Sequence, residues 1–213
     1  MPIARRAVSA VLNDFEKELR RLENFDTENQ KKSSGRVSPS SLSKKQLYLL
    51  TEAIFFSGFR AYENFINDIF ILYCMEKKTF SGKRINSYLK PQNFQHAENL
   101  LKSSMPFLDW SSPDTVINRS ELYLSQGFPI KSAIALHLEP LRDFKRIRNH
   151  IAHNSTASFQ EYQKVLRRHF AVTPLIPPSP GEFLLLSEMS GLPKYKLQTF
   201  FDTMKNIATL CAA

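Results

Sequence analysis

The residues best able to do chemistry stand together in Arg148-Asn149-His150-Ile151-Ala152-His153, inside the run LRDFKRIRNHIAHNS. An arginine can hold a phosphate through two parallel hydrogen bonds, and a histidine can move a proton near neutral pH. The amide between them adds a donor and an acceptor. An arginine, an amide and two imidazoles within two helical turns point to attack on a phosphodiester. Little elsewhere competes. No nucleophile elbow and no Cys/His signature is present, and six glycines are too few to suggest a glycine-rich phosphate loop. His150 and His153 could supply two zinc ligands, but no cysteine lies near and no third ligand can be assigned.

Charge gathers around the same segment. The chain of 213 residues carries a net charge of +9. Between Leu141 and Phe170, Arg142, Lys145, Arg146, Arg148, Lys164, Arg167 and Arg168 face only Asp143 and Glu161. Such a balance favours anionic partners, nucleic acid foremost. Cys74 and Cys211 lack CxxC spacing and sit in apolar helical contexts, so both read as reduced core residues. No apolar run approaches the ~18 residues of a membrane span, and acidic residues follow Arg5 and Arg6 where a signal peptide needs its apolar stretch. The expectation is a cytoplasmic protein with no membrane association.

The elements that must position these residues are mainly helical. Residues 1–25 read as an N-terminal helix, with Val8, Val11, Leu12, Phe15, Leu19 and Leu22 at three- and four-residue steps. Residues 26–42 are polar and read as a linker; residues 43–213 form the main domain. Its longest helix spans 43–78, with Ser43 as a plausible N-cap. That helix has one apolar arc from Leu47 to Leu72 and a second stripe of Glu52, Phe56, Phe59, Glu63, Ile66 and Phe70. So wide an arc means either a central place in a bundle or packing on another subunit. Further helices are expected at 92–105, 113–125, 140–154, 158–170 and 193–210. Residues 170–176 and 182–186 are short β-like runs around Pro177-Pro178-Ser179-Pro180-Gly181, a small β-hairpin before the C-terminal helix. The fold class is all-α.

On the motif helix, Leu141, Phe144, Ile147, Ile151 and Ala152 share one side. Arg146, Asn149, His150 and His153 share the other. Arg148 lies at the edge of the apolar arc, ~140° from His153 at ~100° per residue. Pointing partly inward, it needs an acidic or phosphate partner, for which Glu63 or Glu52 is the candidate. The same residues also fit a surface helix with a basic face and an Arg–Glu staple beneath it.

Arg148-Asn149, three further residues and His153 resemble the Arg-x4–6-His motif of HEPN domains, in which a polar residue follows the arginine. The preceding long helix, TEAIFFSGFRAYENFINDIF, is similar too, with Glu63 in an FxxYExF-like context. The hairpin and closing helix fit one branch of that family, and the resemblance spans 43–213. It implies an α-helical bundle that forms a homodimer, bringing two motif helices across a basic cleft. Many HEPN proteins are metal-independent endoribonucleases, while others bind RNA or protein without cutting. Many belong to toxin–antitoxin or antiviral defence systems, so an antitoxin or defence partner is implied as well. By position, Arg148 and His153 match the catalytic pair, Asn149 the polar neighbour and Glu63 the acidic position.

The implied chemistry needs no metal and no cofactor. RNA carries its own nucleophile, the ribose 2′-hydroxyl. His153 could take that proton or protonate the leaving 5′-oxygen, and Arg148 could neutralise charge in the transition state. His150 would assist, while Arg142, Arg146, Arg167 and Arg168 would hold the RNA backbone. The alternative is a non-catalytic HEPN-like module that binds RNA or a protein partner.

Overall fold

A computed structural model of the chain describes residues 7–34, 41–102, 108–187 and 194–213. Among these the structure is all-α, with no sheet. The helices are α1 (Val8–Ser34), α2 (Lys44–Cys74), α3 (Phe94–Lys102), α4 (Pro113–Tyr123), α5 (Ile130–Leu136), α6 (Leu138–His153), α7 (Thr156–Phe170), α8 (Pro180–Leu184) and α9 (Lys196–Ala212). Most match the hydrophobic periodicity. Helix α5, with a 3-10 turn before it at Ser125–Gly127, was not expected. Residues 1–6 of the expected N-terminal helix, the expected start at Pro193 and the expected end at Met105 lie outside the described residues, as does 35–40 of the expected linker.

Two compact units emerge. The first comprises Met1–Lys17, Ala61–Arg142 and Thr203–Ala213; the second comprises Glu18–Arg60 and Asp143–Asp202. Helices α1, α2, α6 and α9 each divide their residues between the two.

In the first unit, Ile69 through Cys74 of α2 are fully buried on every side of the helix. Phe65 stacks on Phe15 of α1 at 4.8 Å, and Phe70 packs on Trp110 at 5.0 Å. The Trp110 indole N–H donates to Asn67 Oδ1 at 2.8 Å, so the large ring is buried without an orphaned donor. The Tyr73 hydroxyl donates to the Cys211 carbonyl at 2.6 Å. Cys74 and Cys211 are free and buried, and burial pushes the Cys74 thiol up to about 12. Both stay protonated and unreactive at neutral pH.

The second unit is organised by an aromatic cluster. Phe55 of α2, Phe144 of α6 and Phe200 of α9 meet with ring centroids 4.5 to 6.2 Å apart. Gly58 permits this: a Cβ there would stand 2.9 Å from the Phe200 ring. Phe59, Ile66 and Phe70 of the second α2 stripe are fully buried within the chain, which places α2 centrally in its surroundings.

Two segments depart from expectation. No hairpin forms at 170–186. Residues 182–184 are helical, because Ser179 caps α8 by accepting the Glu182 amide at 3.2 Å and Pro180 occupies its first turn. Proline there costs no hydrogen bond and starts a helix, so local capping overrides the β-like composition of Glu182–Leu186. Gly181 packs so closely on α2 that a Cβ would lie 2.2 Å from the Tyr48 carbonyl oxygen, and its N–H donates to Glu52 at 2.8 Å.

The second departure is the expected linker, whose first part, 26–34, continues α1. Its polar composition hides a buried stripe: Asp26 and Asn29 follow Leu19 and Leu22 on one face and are 4% and 3% exposed. Gln30 donates to Asp26 Oδ2 at 2.6 Å, while Asp26 Oδ1 and Asn29 Nδ2 have no partner. Burial pushes the Asp26 carboxyl up to about 6. The folded state therefore favours the protonated acid. The stability this group contributes is full below its ordinary carboxylate range and is lost as pH rises through about 6. Asp26→Asn removes the charge and should stabilise the protein on the order of 2 kcal/mol at pH 8, with little effect at pH 4. Urea unfolding at the two pH values measures this directly; an equal gain at both would mean that charge burial is not the cause.

Candidate functional site

The candidate residues occupy the last three turns of α6 and the start of α7, where the chain reverses through two residues. His153 ends α6, Asn154 adopts a left-handed conformation (φ 41°), and Ser155 caps α7. The Asn154 amide donates to the His150 carbonyl at 2.9 Å, closing the helix end. Ser155 and Ser158 then form a reciprocal cap: the Ser158 amide donates to Ser155 Oγ at 3.2 Å and the Ser155 amide to Ser158 Oγ at 2.9 Å. So tight a corner holds the C-terminal turn of α6 against the first turns of α7.

Helix α6 presents three kinds of surface. Leu141, Phe144 and Ile147 are buried, as the periodicity requires. Arg148, half-buried, lays its guanidinium over the Phe56 ring of α2 at 5.3 Å and donates through Nη1 to Asn149 Oδ1 at 3.2 Å. A guanidinium over an aromatic face is a stabilised cation. The inward lean inferred from the helical wheel is thus seen, with an aromatic face among the things it meets. Glu52 accepts the Gly181 amide and is raised in pKa by its burial. Glu63 is half-buried on the part of α2 that belongs to the first unit.

The face expected to be outward and reactive divides in two. His153 is exposed at the helix end, and Asn149 is half-buried beside Arg148. His150 instead turns toward α7. Its ring stacks on Tyr162, with centroids 5.1 Å apart and planes 21° apart, and Nδ1 lies 3.2 Å from Ser158 Oγ. Burial holds its pKa below the ordinary histidine value, so the ring is neutral at pH 7. Tyr162 is itself fixed by donating to the Pro178 carbonyl at 3.2 Å. His150, Asn149 and His153 therefore do not form one outward edge. Two imidazoles three residues apart occupy different surroundings.

The basic face is also less available than its composition suggests. Arg146 pairs with Asp143 at 2.9 Å and with Glu161 of α7 at 3.3 Å; Arg168 pairs with the same Asp143 at 2.6 Å, and Lys164 pairs with Glu161. Arg142, in the first unit, is held by both Asp114 and Glu139. Arg167 is exposed and reaches the Thr173 hydroxyl at 3.4 Å. The two acids counted in the sequence as a weak offset are the ones that tie the second-unit arginines together. Their i, i+3 spacings, Asp143 to Arg146 and Glu161 to Lys164, were the signal available beforehand. Ser158 and Tyr162 were not singled out from the sequence either, and Phe56 was named only in the second stripe of α2. The Ser155-x-x-Ser158 cap pattern was the legible clue to the first of them.

Among the described residues, no group of three or more His, Cys, Asp or Glu side chains could hold a metal ion, and no helix is long and apolar enough to cross a membrane. No family model, no curated protein and no solved structure matches the chain.

The shared role of Asp143 yields a direct expectation. Asp143→Asn takes one carboxylate away from both Arg146 and Arg168, so the salt concentration needed to elute the protein from a polyanion such as heparin should rise. Unfolding in urea should change by on the order of 1 kcal/mol, since these pairs are partly exposed. Elution at an unchanged salt concentration would show that Arg146 and Arg168 take no part in anion binding.

Proposed function

We propose that the chain is a HEPN-like, metal-independent endoribonuclease that acts as a homodimer. The observation that carries this reading is the pairing of Arg148, oriented by Phe56 and Asn149, with an exposed His153 at the end of the same helix. A positioned phosphate-binding cation and an accessible proton carrier are what 2′-hydroxyl attack on RNA requires. They stand five positions apart, which on a helix is ~7.5 Å of rise and ~140° of rotation. They diverge enough that a second α6 from a partner subunit would supply the complementary groups. A toxin or antiviral-defence setting, with an antitoxin or another defence protein as partner, belongs to the same proposal.

In this mechanism the Arg148 guanidinium stabilises the charge that grows on the phosphoryl oxygens. His153 exchanges a proton with the 2′- or 5′-oxygen. The Phe56 ring beneath the guanidinium restricts it, so less side-chain entropy is lost when phosphate binds. The second reading, a non-catalytic module that binds RNA or protein, is favoured by one specific observation. Arg142, Arg146 and Arg168 are each already satisfied by carboxylates of the chain itself.

The test is RNA cleavage in EDTA. Wild-type protein should cut single-stranded RNA, leave 2′,3′-cyclic phosphate ends and spare DNA. His153→Ala and Arg148→Ala should each lose activity on the order of 100-fold or more, and a mixture of the two variants should regain part of it through composite dimers. RNA left intact by the wild type, or cut equally well by the variants, would sink the nuclease reading. Tight RNA binding without cleavage, unchanged by His153→Ala, would establish the binding module instead.

A further inference from the structure

Ser158 is placed to decide which nitrogen of His150 carries the proton. A serine hydroxyl has one hydrogen and two lone pairs. The Ser155 amide, 2.9 Å away, occupies one lone pair, and the Ser155 carbonyl, also at 2.9 Å, is the nearest acceptor for the hydrogen. His150 Nδ1 is farther, at 3.2 Å. With the hydrogen directed to the carbonyl, the second lone pair faces Nδ1, so Nδ1 must donate. The Ser155 hydroxyl also lies 3.2 Å from this oxygen, but Ser155 is exposed and can turn its hydrogen to water. His150 cannot turn away, because its ring is stacked on Tyr162 and flanked by Phe159 at 5.5 Å.

We infer that Ser158 holds His150 as its Nδ1–H tautomer, and that the free Nε2 lone pair takes the 2′-hydroxyl proton while His153 protonates the leaving oxygen. The catalytic half of this inference rests on the nuclease reading above; the tautomer does not. In the step, the 2′-oxygen bonds to phosphorus as its proton passes to Nε2. The P–O5′ bond breaks, and the electron pair left on O5′ takes a proton from the His153 imidazolium. The products are a 2′,3′-cyclic phosphate and a 5′-hydroxyl. Two histidines three residues apart thereby take opposite roles because one is buried against α7 and the other is open to solvent.

The surroundings fit a neutral base. Burial alone lowers the affinity of His150 for a second proton. On the same two helices Arg146 and Glu161 pair with each other at 3.3 Å, and Asp143 and Lys164 pair with them in turn. Ser158 is a positioning residue here: it acts on RNA only through His150, much as a carboxylate or carbonyl fixes the tautomer of a catalytic imidazole elsewhere.

The experiment is ¹⁵N NMR of the full chain labelled at histidine, at pH 8, followed by cleavage kinetics. His150 should show a protonated Nδ1 and an unprotonated Nε2. Ser158→Ala should let the ring shift toward the Nε2–H form and lower kcat about tenfold or more with KM little changed, while Ser158→Thr, which keeps a hydroxyl, should restore both signals. His150→Asn, which keeps a donor near the Nδ1 position but has no Nε2, should lose kcat on the order of 100-fold. An Nε2–H signature in the wild type overturns the tautomer assignment. Wild-type activity in His150→Asn overturns the catalytic half even if Ser158→Ala fails to fold. The Nδ1–H signature in a protein that cuts no RNA confirms the tautomer and removes the nuclease reading beneath it.

Discussion

The apolar circumference of α2 is the constraint from which the rest follows. A helix with one buried stripe can lie on a surface, but one buried all round must be enclosed by neighbours. From Ile69 to Cys74 every side chain of α2 is fully buried, and in its earlier half Phe55 and Phe59 are as well. In the second unit the enclosure is aromatic: Phe144 and Phe200 close on Phe55, and Gly58 gives Phe200 the room to do so. Phe144 lies on α6, one turn before Arg148, so the packing that covers α2 also sets the rotation of the motif helix. With Phe144 and Ile147 buried, Arg148 is carried to the edge of the interface, over Phe56. The position of the candidate arginine is thus a consequence of core packing.

Electrostatics then sorts the remaining polar groups. The basic stretch gives a strong net positive charge in sequence, yet in space Asp143 and Glu161 each serve two cations. Part-exposed pairs of this kind are each worth little to stability. Their greater effect is on availability, since a phosphate must compete with a carboxylate already in place. Arg148 also has an aromatic face under its guanidinium, which stabilises the cation.

The helices were legible because their apolar spacing is regular, and Cys74 and Cys211 were legible as core because no pattern gave them another task. The ends of α1 and the segment before α9 were not. Asp26 and Asn29 are polar by type, so composition marked 26–34 as linker, but they occupy the buried face that Leu19 and Leu22 begin. Residues 182–186 read as a strand because Phe183 and three leucines favour one; a capping serine and a proline in the first turn decided otherwise. In both cases a few hydrogen bonds and one packing surface outweighed the average tendency of the segment. The site divides in the same way. Arg148, Asn149 and His153 could be picked out by type and spacing, whereas Ser158, Tyr162 and Phe56 matter only through contacts that residues 8, 12 and 92 positions away make with α6.

The comparison of His150 with His153 shows how far residue type alone can carry a functional argument. On a helical wheel the two share a face and look interchangeable. The α6–α7 corner removes that equivalence, because a connection of two residues obliges α7 to fold back along the side of α6 on which His150 lies. Ser158 and Tyr162, four residues apart on α7, present their side chains on one face and reach His150 together. His153 is the last residue of α6, before the turn, and is exposed. A longer connection would free α7 from this path and leave both rings exposed and alike. The brevity of the Asn154-Ser155 link, enforced by the left-handed asparagine and the reciprocal serine cap, is therefore what gives two identical side chains different chemistry.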